Sequence, residues 1–363
     1  MKNTLWLLAT LKAGTGKTTL VKFIIAALNV SPEDVCYIAY TGKAVSVLKE
    51  NGCKNAMTAH KLLYKSYLNK DGSFTNIPRQ ILEKNYRVII VDEISMLPNQ
   101  MWELLMRHNA YVIALGDPGQ LPPIGADNHL LDHPHVFLDE IMRQAKESEI
   151  IHLTMKIRNG EPLTYYKGKE VRIIPKSEIC SGLYQWADQI IAGKNITKNV
   201  VNMQMRELLG FSGSLVDGDK IICLRNNWDL VSNYEEPLVN GLIGIAKNPK
   251  VLLDPYVKKK ISVDFYPNFL DDTEIFKDLK IDKQLLDTGK PSIDKTNFKK
   301  FPKKVSKELQ QFDYAYCITC HKSQGSQYDK VLVLEEYLKT SDHKKWLYTA
   351  ATRAKKKLII VKE

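Results

Sequence analysis

The chain has 363 residues, 52 of them Lys or Arg and 41 Asp or Glu, for a formal net charge of +11 with histidine neutral. Hydrophobic residues make up 44% and charged residues 26%, which excludes disorder, collagen and coiled coil and leaves two or three globular domains. The six cysteines are too sparse for a disulfide scaffold and suit reduced thiols in a cytoplasmic protein, no stretch reaches the roughly 18 apolar residues of a membrane span, and the excess positive charge points first to nucleic acid, ahead of an anionic membrane or plain solubility.

Along the chain, short apolar runs alternate with helix-compatible sequence. Runs at 5–10, 35–40, 87–91 and 111–115 predict four strands in the first 145 residues, each ending in a small, polar or acidic cluster. That is the pattern of an α/β sheet of parallel strands with flanking helices, whose ligands bind beyond the carboxyl ends of the strands. The first run, behind Lys2, imitates a short signal peptide. It enters a glycine-rich loop without a separate cleavage site, so it reads as a buried strand. Residues 64–77 place Asn69-Lys70-Asp71-Gly72 between aromatic-bearing arms and predict a β-hairpin with an Asp-Gly turn. Further on, 200–210 predicts a helix and 220–224 and 315–319 predict strands; 330–334 and 358–361 are two more, with a helix over 345–355 between them. The stretch 225–310 has poor helical periodicity and many turn signals, Asn240-Gly241 and Gly289-Lys290-Pro291 among them, and predicts a small β-rich subdomain. Within it, 277–307 holds ten Lys against four Asp, a solvated face or an auxiliary phosphate track.

The strongest local signal is Ala13-Gly14-Thr15-Gly16-Lys17-Thr18-Thr19, after a strand and opening a helix. Small residues let backbone N–H groups turn toward a phosphate, and a helix N-terminus faces the anion. Lys17 would reach the β- and γ-phosphates of ATP, and Thr18 would hold Mg2+ through its hydroxyl. The full P-loop pattern has a glycine where this chain has Leu11, and leucine is costly wherever φ is positive. A glycine turn ahead of a helix is the plain alternative. Next, Val88-Ile89-Ile90-Val91-Asp92-Glu93 reads as a strand buried on both faces with two carboxylates at its end. Asp92 would hold Mg2+ through water and Glu93 would orient or deprotonate the attacking water, although acidic residues commonly end strands. A third strand ends in Gly116-Asp117-Pro118-Gly119-Gln120, where Gln120 could sense the γ-phosphate. Lys, Asp-Glu and Gln at successive strand ends amount to one nucleotide site.

Further motifs follow in order: Thr41-Gly42-Lys43-Ala44, Thr58-Ala59-His60-Lys61, Ile141-Met142-Arg143-Gln144, Thr319-Cys320-His321-Lys322-Ser323-Gln324-Gly325 and Leu347-Tyr348-Thr349-Ala350-Ala351-Thr352-Arg353-Ala354. With them the chain resembles a superfamily 1 DNA helicase of the RecD-like and Dda-like branch, in a compact form like that of phage enzymes. The resemblance implies two RecA-like P-loop NTPase domains: 1–145 with a hairpin insert at 62–82, and 146–224 joined to 311–363, interrupted by a β-rich, SH3-like insert at 225–310. It implies ATP between the domains, with Lys17, Asp92, Glu93, Gln120, Arg143 and Arg353 catalytic and Arg353 as arginine finger. On residues alone, Arg353 could equally be a cation at a helix C-terminus. A single-strand groove is implied at Thr41, Lys43, Thr58, His60, Thr319, His321 and Lys322, where hydroxyls and cations suit sequence-independent phosphate contacts. Phe74 on the hairpin is the implied wedge, or packs beneath it.

The implied activity is ATP- and Mg2+-dependent movement along single-stranded DNA, 5′→3′, by a monomeric motor that opens forked DNA in replication or recombination, in the cytoplasm and away from membranes. A hydrolysis-poor single-strand-binding accessory protein on the same fold is the alternative, favoured by Leu11 and by the ten residues before it, too few for the upstream adenine-reading segment usual in relatives. Cys317-Ile318-Thr319-Cys320-His321 fits a haem-attachment pattern, but Cys317 alternates with Tyr316 and Ile318 as a strand residue does. Cys36, Cys53, Cys180 and Cys223 read as small core residues.

Overall fold

The computed structural model describes residues 6–11, 17–68, 74–122, 131, 134–138, 147–233, 237–267, 274–294, 296–297, 300–337 and 343–362; the side chains of residues 6–22, 66, 68, 74, 137, 138, 228, 229, 303 and 304 are outside the description. From the amino terminus, β1 (Trp6–Leu11) leads to α1 (Lys17–Leu28), β2 (Val35–Ala39) to α2 (Gly42–Glu50), and β3 (Ala56–Thr58) to α3 (Ala59–Leu63). A two-stranded hairpin of β4 (Tyr64–Leu68) and β5 (Phe74–Pro78) follows, then β6 (Val88–Val91), α4 (Asn99–Leu105), β7 (Tyr111–Gly116) and β8 (Val136–Leu138). Six of these strands form a parallel sheet in the order β3-β2-β6-β7-β1-β8. The unbroken apolar run of β6 has a physical reason: successive side chains point to opposite faces, and both are covered. Val88 and Ile90 pack toward Ile24 and Ile25 of α1, while Ile89 and Val91 pack with Met101, Trp102 and Leu105 of α4. Each such side chain contributes about 1.5–3 kcal/mol when fully buried.

The chain continues through α5 (Glu149–Asn159), β9 (Tyr166–Lys167), β10 (Val171–Pro175), α6 (Ser181–Trp186), β11 (Gln189–Ala192) and α7 (Asn195–Leu208). Next come β12 (Lys220–Cys223), β13 (Asn227–Val231), β14 (Pro237–Leu238), β15 (Ile243–Asp254), β16 (Lys258–Pro267), β17 (Phe276–Asp282), α8 (Lys283–Thr288), α9 (Lys303–Glu308), β18 (Leu309–Gln310) and β19 (Phe312–Tyr314). The last elements are β20 (Cys317–Thr319), α10 (Cys320–Ser323), β21 (Tyr328–Leu334), α11 (His343–Ala351) and β22 (Ala354–Lys362). A second sheet runs β20-β11-β21-β22-β10-β9, and all its described pairings are parallel except that of β9. A third, mostly antiparallel, runs β18-β17-β16-β15-β12-β19 around the mutually packed rings of Phe265, Phe276 and Phe312.

By compactness the chain divides into two units. One is Met1–Lys65, Pro78–Asn195 and Ile318–Glu363, with both parallel sheets; the other is Ser66–Ile77 with Ile196–Cys317. The expected α/β class, two parallel sheets with a hairpin and a β-rich insert, is what the structure has. Four elements differ. β12 pairs antiparallel with β15 and β19, which puts residues 220–223 and 312–314 in the β-rich insert, outside the expected 225–310. A four-residue apolar run reports burial and says nothing about the direction of its partners. The helix expected over 345–355 ends at Ala351, because Thr352 Oγ1 and Arg353 Nε both donate to Thr349 O (2.9 Å each) and close it. Residues 355–357 are instead exposed positions of β22. β10 and β11 were not legible at all: they are short apolar runs without a glycine-rich or acidic terminus to mark them.

Candidate active site

In the first sheet β7 lies between β6 and β1, so the carboxyl ends of these three parallel strands are spatial neighbours. After β1 come residues 12–16, and α1 opens at Lys17, followed by Thr18 and Thr19; Ala13, Gly14, Thr15 and Gly16 lie outside the described residues, as does Arg143. Leu11 closes β1 as an extended residue paired with Leu138, so leucine meets no positive-φ requirement there. After β6, the Asp92 N–H donates to Ile38 O at 2.8 Å. Glu93 takes a left-handed backbone, φ 50° and ψ 51°, uncommon for a non-glycine residue and held only where the surroundings impose it. After β7, the chain turns on Asp117: the Gln120 N–H donates to Asp117 O (3.1 Å) and the Gly119 N–H to Asp117 Oδ1 (2.9 Å). Gln120 is 5% exposed, and its Oε1 has no hydrogen-bond partner among the described residues. A buried polar atom in that state costs about 1–3 kcal/mol, which a ligand would recover.

Residues from the second sheet meet this turn. Asp117 is fully buried, and its carboxylate also accepts from Arg158 Nη1 of α5 at 2.7 Å and from the Tyr348 hydroxyl of α11 at 2.5 Å. The Leu121 N–H donates to Thr349 Oγ1 at 2.9 Å, and Gln324 Nε2 donates to Leu121 O at 3.0 Å. Arg353 is 4% exposed and uses three of its five N–H donors within the C-terminal segment: Nε donates to Thr349 O, Nη1 to Ser326 O and Nη2 to Thr352 Oγ1, at 2.9, 3.2 and 3.0 Å. Gly119 is the residue this packing needs, since a Cβ there would sit 3.0 Å from Tyr348 Cε1. Sequence reasoning placed Asp117 and Tyr348 inside motifs without a role and missed Arg158 entirely. The available signal was general: a carboxylate in a buried motif requires a cation from elsewhere.

The nucleic-acid candidates separate into two kinds. Thr41, Thr58 and Thr319 each follow the carboxyl end of a parallel strand and N-cap the next helix. The Thr41 and Thr58 hydroxyls accept from the Ala44 and Lys61 N–H groups, each at 3.2 Å, so they hold helix starts whose remaining amides face the strand ends. His321 and Lys322 lie half-buried on α10. His60 lies between the Tyr40 and Tyr64 rings (centroids 5.9 and 5.6 Å), and burial pushes its pKa down. Lys43 differs from the expected groove cation: it is 3% exposed, and its Nζ donates to the Tyr328 hydroxyl at 3.2 Å. Burial in turn pushes the Tyr328 phenol up to about 12. Gly325, at φ 74°, packs on Ala44 and Thr41, so the Thr41–Ala44 and Thr319–Ser326 segments are brought together. Phe74 opens β5, with its side chain outside the description. Cys320 is buried, with its thiol raised to about 12 by desolvation, and of the scattered cysteines Cys180 is exposed rather than core.

Two family models match the chain: an AAA domain over residues 1–173 and a UvrD-like helicase C-terminal domain over 314–361. The chain is similar to the ATP-dependent RecD2 DNA helicase of Deinococcus radiodurans, 24% identical over 372 residues that cover 94% of this chain and 45% of that one. It is also similar to the RecBCD enzyme subunit RecD of Buchnera aphidicola, 27% identical over 433 residues that cover 96% of this chain and 68% of the relative. The chain spans about half the length of the curated relatives it matches. Among solved structures, Pif1 helicase from Bacteroides in complex with ADP-AlF3 and single-stranded DNA shares the fold, with a TM-score of 0.54 at 17% identity, over 99% of this chain and 89% of that one.

Proposed function

We propose that this chain, which belongs to the superfamily 1 helicases of the RecD-, Dda- and Pif1-like kind, hydrolyses ATP to move 5′→3′ along single-stranded DNA and separates duplex at a fork, in replication or recombination. The observation that supports this reading is the order β6-β7-β1 in one parallel sheet, strands followed in the chain by Asp92-Glu93, by Gln120 and by the segment that leads to Lys17. ATP is the substrate. Lys17 neutralises its β- and γ-phosphates, Glu93 orients and deprotonates the attacking water, and the orphaned Gln120 Oε1 accepts from that water. The donor set of Thr18 hydroxyl and Asp92 carboxylate consists of oxygens only, which suits Mg2+, whose contribution when bound is neutralisation of developing phosphate charge. Arg143 and Arg353 supply the remaining positive charge. Arg353 uses three of its five N–H donors within the C-terminal segment, and the second N–H groups of Nη1 and Nη2 are the ones it would offer to a phosphate oxygen.

The single strand lies along the helix starts capped by Thr41, Thr58 and Thr319, with Lys322, His321 and His60 beside it, and Phe74 at the duplex junction. His60 binds as a neutral ring, since burial disfavours its charged form. Lys43 ties the Thr41 segment to Tyr328 instead of touching phosphate. Phosphate release with and without single-stranded DNA, and opening of 5′- and 3′-tailed duplexes, tests the reading. DNA-stimulated hydrolysis that Lys17→Ala abolishes, with opening of the 5′-tailed duplex alone, is the expected result. DNA binding with no hydrolysis in either condition overturns it in favour of an accessory binder. Hydrolysis with both duplexes left closed removes the unwinding step.

A further inference from the structure

We propose that Arg158 of α5 is a positioning residue that couples the Gln120 turn to the helix leading into Arg353. The inference rests on the reading above and adds a residue outside the site already assigned. Asp117 is a fully buried carboxylate with three donors converging on it: the Gly119 N–H, Arg158 Nη1 and the Tyr348 hydroxyl. Of these, only Arg158 brings a positive charge. Its guanidinium also lies 5.7 Å from the centre of the Tyr348 ring, within the range of a cation–π contact. Arg158 therefore holds both partners of the Asp117–Tyr348 hydrogen bond, and each leads to a different part of the chemistry.

On one side, Asp117 makes the turn that orients Gln120 through its own carbonyl and carboxylate. On the other, Tyr348 stands next to Thr349, which accepts from the Leu121 N–H through its hydroxyl and from Arg353 Nε through its carbonyl. A shift at Gln120 when the γ-phosphate arrives or leaves thus reaches Arg353 through a short chain of directional bonds: Gln120, Asp117, Tyr348, Thr349, Arg353. Arg158 sits at the midpoint. Lysine would keep the charge there and lose the planar guanidinium that lies against the tyrosine ring.

The test separates coupling from packing. Arg158→Met leaves the Asp117 carboxylate buried without a cation and lowers the melting temperature. Combining it with Asp117→Asn removes that charge and recovers stability, while the directional link stays broken. Both variants are expected to lose DNA-stimulated kcat by about 10–100-fold with the KM for ATP within about twofold, the signature of contacts that matter only in the transition state. Both should also lose the change in single-strand affinity that ADP-AlF3 produces in the wild type. Arg158→Lys recovers part of kcat. The inference is overturned if the double variant regains kcat together with its melting temperature, which would make the cluster a packing element. It is equally overturned, by itself, if the wild type shows DNA-stimulated hydrolysis and Arg158→Met matches it. A wild type without such hydrolysis defeats the functional reading first, and the inference with it.

Discussion

Two buried polar clusters, one in each compact unit, show how a site differs from a scaffold. In the β-rich unit, Arg206 of α7 forks onto Asp219 through Nε (2.9 Å) and Nη2 (3.1 Å), and also donates to Gly213 O and Ser214 O, four of its five N–H donors in all. Asp219 is completed by the Tyr316 hydroxyl and the Val216 N–H, and the guanidinium lies 4.4 Å over the Tyr314 ring. Both Asp219 oxygens are thus taken twice over by donors of this cluster, although the Ser214 hydroxyl has no partner among the described residues. In the unit with the parallel sheets, Asp117 is as deeply buried but its Arg158 is only partly so, and the residue the cluster positions, Gln120, keeps a buried oxygen without a partner among the described residues, while Glu93 after the neighbouring strand is held in a left-handed backbone. The closed cluster fixes where α7 meets the loop before β12. The open one retains a cost that only a bound group removes.

The sharpest way to break that contrast is to change one group in each cluster. Glu93→Gln removes the carboxylate we propose as the base and keeps the shape, so phosphate release should fall by about 10²–10⁴-fold while the thermal melt stays where it was. A melt that falls in step with activity would make Glu93 a structural residue and erase the distinction. Arg206→Met should do the reverse. It leaves Asp219 buried without its cation and costs about 3–5 kcal/mol of stability, measured by urea unfolding. The folded fraction at low temperature should release phosphate at the wild-type rate with an unchanged KM for ATP.

The sequence made the open cluster partly legible and the closed one not at all, for a physical reason. Strand ends that meet a nucleotide need special residue types at fixed spacing, so Lys17, Asp92, Glu93 and Gln120 stand out one by one. Arg158 lies in an ordinary amphipathic helix 41 residues from Asp117, and only the fold pairs them. Lys43 shows the converse: its residue type and motif suggest a groove cation, while the burial that encloses it under Tyr328 depends on β21, more than 280 residues away. Thr41 and Thr58 were found for phosphate contact, and the structure shows their hydroxyls first serving as helix caps. The first parallel sheet was readable because glycine-rich and acidic termini punctuate its strands, whereas β10 and β11 of the second have no such marks. β12 resembled them in composition and went to the antiparallel sheet, because hydrogen-bond direction leaves no mark on a four-residue apolar run.

The smallest expected effect tests whether the β-rich unit is a scaffold throughout. At the turn from β15 to β16, Asp254 Oδ1 accepts the Tyr256 and Val257 N–H groups (2.9 and 3.1 Å) and Oδ2 accepts Lys260 Nζ (3.1 Å). Burial by itself would raise its pKa; the hydrogen bonds from Val257, Tyr256 and Lys260 together outweigh that, and the net shift is downward. A carboxyl with a lower pKa folded than unfolded contributes stability that is complete above the unfolded value, about 3.9 for Asp, and that drains away as pH falls through the folded one. Asp254→Asn keeps an acceptor and loses the charge, so it should cost about 0.5–1.5 kcal/mol near neutral pH. Urea unfolding of the two proteins should converge as the pH drops below the ordinary Asp range, because the wild-type carboxyl is then protonated too. Phosphate release should be identical at neutral pH. If instead Asp254→Asn altered DNA-stimulated hydrolysis while leaving stability intact, this closed turn would be part of the working machinery, and saturation of hydrogen bonds would no longer separate the scaffold from the site.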